Sequence, residues 1–378
     1  MIHRNPESAH WLMAAVAAKV GEERAVRAKV LPTNSDAVGL EEKVAFLKRA
    51  DAYPHPVYAL ETRETHMSWV FLAGDKVYKL KKPVRFPYLD FSTLERREAA
   101  CRAELVLNRR LAPDVYEAVV PLMQAAGGLS IGGPGRIVDW LVVMRRLDER
   151  QTLEYALVTG KLASWQLDRL VATLVAFYRR AHVIYISKDI HLSNWRRSLS
   201  YNRRVLLDRS LGMPAGLVGF IDHVQRRFLS ERSSSIADRV RYRHIVDGHG
   251  DLRPEHIWLD DQVRIIDCLE FNPTLRAVDP FDEIAYLCLE CERLGSAWAG
   301  EYIKRRTMLA LQYSLTEDLF VFYRCHRATL RARLAIAHLL EPHPRTPEKW
   351  PRLARIYLNL AAADATRLER ALRKPANR

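Results

Sequence analysis

The chain has 378 residues, of which 48% are hydrophobic, and this composition is typical of a folded protein rather than a disordered one. No apolar run reaches the roughly 20 residues that a membrane-spanning helix needs, so no membrane association is expected. The formal net charge of +14 favours anionic ligands, and it disfavours polycationic ones.

The five cysteines are odd in number and scattered, which indicates a reducing, cytoplasmic compartment rather than a disulfide framework. Cys288 and Cys291 form a single CxxC motif, but a zinc site of this kind needs a second pair. Because the motif overlaps an apolar run, both cysteines are expected in the core.

In chain order, residues 8–30 predict a helix, and a polar break at 32–36 separates it from a second helix at Leu40–Arg49. Short runs rich in β-branched and aromatic residues then predict a three-stranded antiparallel meander. One helix follows, and after it come two more strands around a glycine-rich hairpin. The strands are expected at 57–62, 68–72, 76–81, 115–123 and 137–144, and the helix at Ser92–Arg110.

The N-terminus of the Ser92–Arg110 helix carries a capping signal, with Ser92 as the cap and Glu95 three residues later. After residue 145 the pattern becomes mostly helical. We therefore predict an α+β chain with a helical extension at 1–39, a sheet-containing domain at 40–145 and a helical domain at 146–378.

A polar loop at 249–256 follows an apolar segment and contains Asp251, with His256 five residues later. The short strand Val263–Ile266 then leads to Asp267. Two carboxylates brought together on such a hairpin can serve phosphoryl transfer, which requires a proton acceptor for the substrate hydroxyl and ligands for Mg²⁺.

A lysine for nucleotide phosphates is available in the strand Lys76–Lys81, where Val77, Lys79 and Lys81 share one face because side chains alternate. A buried lysine needs a carboxylate partner, and the following helix offers Glu95, Glu98 and Glu104. The competing interpretation is a solvated surface run of lysines.

Several segments together resemble the aminoglycoside phosphotransferase and choline-kinase-like superfamily. Within it, the chain is similar to a bacterial branch in which some members carry an additional P-loop ATPase domain. The resemblance extends over about Leu40 to Ala337 and is carried by residues 65–72, 77–83, 107–113, 249–256, 266–272 and 279–285, and more loosely by 323–333.

The resemblance implies a bilobal protein-kinase-like fold with a small antiparallel-sheet N-lobe, one key helix and a larger helical C-lobe. It also implies a kinase that uses ATP and Mg²⁺ to phosphorylate a hydroxyl of a small-molecule acceptor. The implied residues are Asp251 as catalytic base, Asp267 and His256 at the metal, Lys79 at the phosphates, Glu104 as its partner, and Met144, Arg145 and Leu147 in the hinge that meets the adenine. His249 is implied to brace the loop.

Two features depart from the superfamily pattern. Asn is usual five residues after the catalytic Asp, whereas this chain has His256, and Mg²⁺ prefers oxygen ligands. Glu255 or Glu270 could supply the oxygen ligand that the usual Asn provides. The sequence also contains no GxxxxGK[ST] motif, so the ATPase domain of the two-domain members is not predicted.

Two alternatives stay open at this point. A nucleotide-binding regulatory pseudokinase is suggested by His256. A non-haem iron oxygenase is suggested by the short motif of His249 and Asp251, although that class requires a jelly-roll with many strands. Nucleic-acid binding is not favoured, because no basic motif interleaved with aromatic residues is found. Because aminoglycosides are polycations, we expect weak or no aminoglycoside kinase activity.

Overall fold

The structure is a computed structural model of the chain, and it describes residues 38–86, 88–341, 344 and 346–373. The helical extension predicted at 1–39 lies outside the described residues, except for Val38 and Gly39, which are not helical. The described residues form two compact units. One comprises the residues through Asp148 together with Ile266–Asn272, and the other comprises Glu149–Ile265 and the residues from Pro273 onwards.

The first unit contains a six-stranded antiparallel sheet with the strand order β1-β2-β3-β8-β6-β7. A separate two-stranded ribbon is formed by β4 and β5. The elements are α1 (Leu40–Leu47), β1 (Leu60–Glu64), β2 (Ser68–Ala73), β3 (Lys76–Lys81), β4 (Arg85–Phe86), β5 (Leu89–Asp90), α2 (Leu94–Asn108), β6 (Tyr116–Ala125), β7 (Gly128–Ile131) and β8 (Arg136–Arg145).

Strand β3 is confirmed at its predicted bounds, and its alternation separates two environments. Tyr78 and Leu80 are buried in an apolar core with Phe71 of β2 and Leu141 of β8. The opposite face carries the lysines, because successive side chains point to opposite sides of a sheet. The sheet therefore places an apolar face against α1 and a charged face toward another part of the same unit.

The start of helix α2 differs from the prediction, because Thr93 rather than Ser92 is the N-cap. The Thr93 hydroxyl accepts the backbone N–H of Arg96 at 3.3 Å. The Ser92 side chain belongs to the preceding turn instead, because its hydroxyl donates to Asp90 Oδ1 at 2.6 Å. The cap therefore moves one residue along the chain.

The second unit is mainly helical, as the sequence predicts, with short two-stranded ribbons. No described helix is both long enough and apolar enough to cross a membrane. The elements are α3 (Leu153–Thr159), α4 (Ser164–Arg180), α5 (Lys188–Leu206), α6 (Ala215–Glu231), α7 (Ser233–Arg241), β9 (Val246–Asp247), β10 (Ile257–Leu259), β11 (Val263–Ile265), β12 (Ala277–Val278), α8 (Pro280–Arg293), α9 (Ala297–Leu311), α10 (Glu317–Ala337) and α11 (Lys349–Leu372).

The α+β class is therefore confirmed. The segment Ile266–Asn272, which the sequence assigns to the helical domain, groups with the first unit instead. Ile266 packs against the core around Cys101 and Trp140, and Phe271 packs against Val84 and Phe91. These apolar contacts explain why the segment belongs with the sheet.

Candidate active site

The charged face of β3 forms a cluster with α2 and the segment Ile266–Asn272, all within the first unit. Lys79 Nζ lies 2.8 Å from Glu104 Oε1 and 3.1 Å from Asp267 Oδ1. The structure thus brings these three predicted residues together. The interpretation of the lysines as a solvated surface run is wrong, because the Lys79 side chain is 16% exposed.

A second lysine joins this cluster and received no role in the sequence analysis. Lys81 Nζ lies 2.6 Å from Glu104 Oε2 and 2.5 Å from Glu270 Oε1, and its side chain is 1% exposed. The two oxygens of Glu104 therefore serve one lysine each. The signal in the sequence was the spacing, which places Lys79 and Lys81 on one face of the strand.

Burial and ion pairing act in opposite directions on these groups. Burial alone raises the pKa of Glu104, but the two lysines outweigh it and lower the pKa below its usual range. Burial lowers the pKa of Lys79, and the carboxylates of Asp267 and Glu104 outweigh this and raise it. Burial raises the pKa of Glu270 above its usual range, although the charge of Lys81 acts to lower that pKa. The cluster is thus a buried ionic network whose members depend on one another.

Asp267 differs from the other acids of the cluster because its side chain is 47% exposed. Its backbone has φ of 62°, in the left-handed region that non-glycine residues rarely adopt. The backbone is held by Tyr116, whose hydroxyl accepts the Asp267 N–H at 3.3 Å. Neighbouring Cys268 donates its N–H to Asn108 Oδ1 at 2.9 Å. Strained backbone of this kind, held by its surroundings, is concentrated at functional sites.

The donor set of this cluster fits Mg²⁺ through Asp267, because a hard cation takes carboxylate oxygens and Asp267 has a partly exposed carboxylate. Each of Asp267 and Glu270 has one oxygen that accepts from a lysine, but Glu270 fits less well because its side chain is only 9% exposed. Among the acids of this cluster, Asp267 is therefore the best suited to Mg²⁺.

The predicted hinge residues lie at the end of β8. Met144 is buried in the core with Tyr116 and Val142, while the Arg145 side chain forms an ion pair with Asp114 at 2.7 Å. The Arg145 N–H donates to a carbonyl within the unit, and so does the next N–H along the chain. Within the described residues the main chain of Leu147 makes no hydrogen bond, so its N–H and C=O groups are both unoccupied.

The predicted catalytic loop belongs to the second unit and is held by Glu283 of α8. The Glu283 carboxylate accepts the backbone N–H groups of His249, at 3.1 Å, and of Gly250. It also accepts the Tyr178 hydroxyl at 3.0 Å. Burial raises the pKa of Glu283, which these donors oppose. A β-carbon at Gly248 would lie 2.7 Å from Glu283 Oε2, so glycine is required where the loop approaches the helix.

Helix α8 is itself fixed by two buried ion pairs. Asp282 binds Arg327 of α10 through both oxygens, at 2.7 and 2.5 Å. Asp279, the N-cap of α8, binds Arg239 of α7 at 2.5 and 3.0 Å. Paired guanidinium and carboxylate groups give directional constraints as well as energy. The orientation of Glu283 toward the loop is therefore set by α8 and by the two helices that fix it, α7 and α10.

The carboxylate of Asp251 contacts Arg253 and Tyr286 in the second unit. Arg253 Nη2 lies 2.9 Å from Asp251 Oδ2, and the Tyr286 hydroxyl lies 3.3 Å from Oδ1. The side chain is 21% exposed, so it stays reachable. His249 is buried, and its Nδ1 accepts the Asp251 backbone N–H at 3.3 Å. Asp251 is thus held in one orientation with part of its carboxylate toward solvent.

Both ring nitrogens of His256 have partners inside the loop. Nδ1 lies 3.0 Å from the backbone carbonyl of Asp251, and Nε2 lies 3.0 Å from Arg253 Nη2. The network assigns the proton to Nδ1, because Nε2 faces a guanidinium donor. A metal ion at His256 would have to displace Arg253, so this geometry favours a bracing role over the metal-ligand role predicted from sequence.

Arg253, Glu283 and Tyr286 have no role that the sequence pattern alone predicts. Arg253 lies in the quoted loop motif, and the other two lie within or beside the quoted segment 279–285. For Glu283, the available signal in the sequence was its position within an apolar helical run. A carboxylate buried there must be paired or hydrogen-bonded, which predicts a partner. Cys288 and Cys291 of the same helix are buried with free thiols, as predicted.

No protein-family model matches the chain. An uncharacterized protein of Mycobacterium tuberculosis is 31% identical to it over 299 residues, which cover 77% of this chain. The matched region represents 58% of the length of that relative. A protein from Mycobacterium bovis, also uncharacterized, matches to the same extent.

The solved structures that are similar in fold include two kinases or kinase family members. A choline/ethanolamine kinase family protein from Mesorhizobium loti superposes with a TM-score of 0.50 at 16% identity, covering 86% of this chain and 94% of that one. Choline kinase from Cryptosporidium parvum superposes with a TM-score of 0.51 at 8% identity, covering 84% and 92%. No jelly-roll is found in the described residues, and the oxygenase alternative loses its structural basis. The chain therefore has the protein-kinase-like fold that these choline-kinase structures share.

Proposed function

We propose that the protein is a phosphotransferase that uses ATP and Mg²⁺ to phosphorylate a hydroxyl group of a small molecule. The observation that carries this proposal is the buried network around Lys79, which has Glu104 on one side and the exposed, strained Asp267 on the other. A lysine held between a helix glutamate and a metal-binding aspartate is the arrangement that kinases use for nucleotide phosphates.

In this proposal the first unit supplies the nucleotide-binding groups. Lys79 contacts the α- and β-phosphates, and Glu104 keeps its ammonium group in place. The main chain of Leu147 meets the adenine. Asp267 holds Mg²⁺, which when bound neutralises charge on the phosphate oxygens.

The second unit supplies the base. The acceptor hydroxyl oxygen forms a bond to the γ-phosphorus while the bond from that phosphorus to the β–γ bridging oxygen breaks, releasing ADP. The hydroxyl proton passes to the Asp251 carboxylate. Arg253 and Tyr286 hold the two carboxylate oxygens in the orientation that receives this proton.

The decisive experiment compares ATP consumption by the wild type with that by Asp251→Ala and Asp251→Asn in the presence of a metabolite extract and Mg²⁺. Loss of the base is expected to lower turnover by about 10²–10⁴-fold, while nucleotide binding is retained. Thermal stabilisation by ATP serves as the control for folding. Equal turnover by wild type and variants would contradict the proposal.

A nucleotide-binding regulatory protein without catalysis is the second candidate. The observations behind it are the pairing of Asp251 with Arg253 and the histidine at position 256. In that case ATP and Mg²⁺ should stabilise the wild type against heat, yet no phosphorylated product should form with any metabolite fraction. The same pair of measurements therefore separates the two candidates.

A further inference from the structure

One arginine beside the proposed base has terminal nitrogens that make no hydrogen bond to the described part of the second unit. Arg331 of α10 has its Nε 3.4 Å from the Tyr357 hydroxyl and 3.5 Å from Glu290 Oε1. Among the described residues, no hydrogen bond reaches its terminal nitrogens. Its side chain is 20% exposed. Within the described residues, both terminal nitrogens therefore keep their N–H donors for a ligand.

The position of this guanidinium is fixed by two buried tyrosines. Its central carbon lies 6.0 Å from the ring centre of Tyr286 and 5.4 Å from that of Tyr357. Contacts of this kind between a cation and an aromatic ring hold the group without using its N–H donors. Arg331 is therefore oriented before any ligand arrives, which reduces the entropy lost on binding.

Glu290, the acid next to Arg331, has other donors and does not require the positive charge of Arg331 for its neutralisation. Glu290 is fully buried and already accepts from Arg293 at 2.5 Å and from the Tyr357 hydroxyl at 2.7 Å. Two arginines thus surround one carboxylate. Asp251 also acts on the charge of Arg331, but its Oδ2 is already paired with Arg253 at 2.9 Å.

Arg331 is also close to the base through one shared residue. The ring of Tyr286 faces Arg331, and its hydroxyl contacts Asp251 Oδ1 at 3.3 Å. The charge of Asp251 contributes to the raised pKa of Arg331, after the opposing effect of burial and the larger effects of the two tyrosines and Glu290. A single small molecule can therefore place one group at Arg331 and a hydroxyl at Asp251.

We propose that Arg331 binds an anionic group of the acceptor, so that the substrate is an alcohol bearing a carboxylate or a phosphate. This inference rests on the proposed phosphotransferase function and names its substrate class. A guanidinium with two free terminal nitrogens matches both anions in a bidentate manner, whereas it repels the amines of a cationic acceptor. The competing role is purely structural, as a second counter-charge for Glu290.

The test uses the full chain, labelled ATP and a metabolite extract separated on an anion-exchange resin. The acceptor is expected in the retained, anionic fraction, and phosphatase treatment of that fraction before the assay separates phosphate esters from carboxylic acids. An acceptor in the flow-through would overturn the inference while leaving the phosphotransferase function intact. Absence of turnover dependent on Asp251 in both fractions would overturn the proposed function itself.

Two matched variants then separate recognition from structure. Arg331→Gln is expected to raise the KM for the retained acceptor about 10- to 100-fold, with the KM for ATP unchanged, because a charge-assisted pair is lost. Arg293→Gln removes the other arginine of Glu290 and is expected to change the acceptor KM less than about twofold. Arg331→Lys should recover part of the loss. Equal effects of the Arg331→Gln and Arg293→Gln variants on the acceptor KM would show that Arg331 acts only on Glu290.

Discussion

At the residue scale, the lysines of β3 are held by shared carboxylates. Glu104 gives one oxygen to Lys79 and the other to Lys81, and Lys81 reaches Glu270 as well. A buried charge is tolerated when it is paired and hydrogen-bonded. Because Glu104 is engaged by both lysines, a change at either one alters the position of the other through the same carboxylate.

This sharing predicts a strong stability effect at Lys81. Lys81→Met is expected to lower the free energy of unfolding by about 3–5 kcal/mol, because it removes the ammonium group that pairs with Glu270 and leaves Glu104 with Lys79 alone. Urea unfolding at pH 7 measures the change. The double variant Lys81→Met with Glu270→Gln should recover part of the loss. A single variant as stable as the wild type would be inconsistent with the ion pairs described here.

His256 gives a second prediction at this scale. If the ring braces the loop through Asp251 and Arg253, then His256→Ala should lower kcat by roughly tenfold without changing the Mg²⁺ concentration at half-maximal rate. Asp267→Asn is the matched variant, and it should raise that Mg²⁺ concentration. A higher Mg²⁺ requirement in His256→Ala would instead support the metal-ligand role predicted from the sequence.

At this scale, some side-chain contacts can be predicted from the sequence and others cannot. The spacing in β3 predicts that Lys79 and Lys81 share a face, and the structure pairs both with Glu104. By contrast, nothing in the local pattern indicates that Arg253 turns back onto Asp251. A contact between side chains two residues apart depends on the loop conformation, which the distant Glu283 helps to fix.

At the scale of elements, α8 links the loop to the helices of the second unit. Its N-cap Asp279 and the buried acids Asp282 and Glu283 in its first turn each have a partner on another element. An apolar periodic run predicts the helix, but it does not predict the partners of the acids within it. Likewise, periodicity cannot show that Ile266–Asn272 packs with the sheet, because that contact joins residues far apart in the sequence.

The contact between α5 and α10 includes a buried histidine. His326 Nε2 lies 2.7 Å from the Ser198 hydroxyl, and the ring packs edge-on against Trp195. Burial, together with the charges of Arg327 and Arg333, lowers the pKa of His326 to about 3. The unfolded chain binds a proton at this position near pH 6.5, whereas the folded chain does not until about pH 3.

This difference predicts a loss of stability in acid. Since the unfolded state binds more protons, stability falls as the pH drops from 6.5 toward 3, by about 1.4 kcal/mol per pH unit for one histidine. His326→Gln should reduce the difference in unfolding free energy between pH 7 and pH 5 by about 2 kcal/mol. His223→Gln, at an exposed histidine, is the control. Identical pH slopes in His326→Gln and the wild type would contradict a neutral buried His326.

At the scale of the whole molecule, the net charge of +14 acts on every approaching ligand. Anionic nucleotides are attracted, and the field adds to the local effect of Arg331 beside the proposed base. Aminoglycosides carry several ammonium groups, so both the net positive charge and Arg331 repel them. The fold shared with choline kinases gives no information on this point, because recognition of the acceptor depends on side chains rather than on the fold.

We therefore predict that the protein does not phosphorylate kanamycin at a useful rate. Like charges placed against each other cost several kcal/mol, so kcat/KM for kanamycin should be at least about 100-fold below that for the anionic acceptor. Expression in a sensitive host should leave the inhibitory concentration unchanged. If resistance appeared and was lost in Asp251→Ala, the charge argument would be wrong although the phosphotransferase function would hold. Because screening weakens repulsion, any residual kanamycin turnover should rise with added salt, while the KM for ATP should also rise.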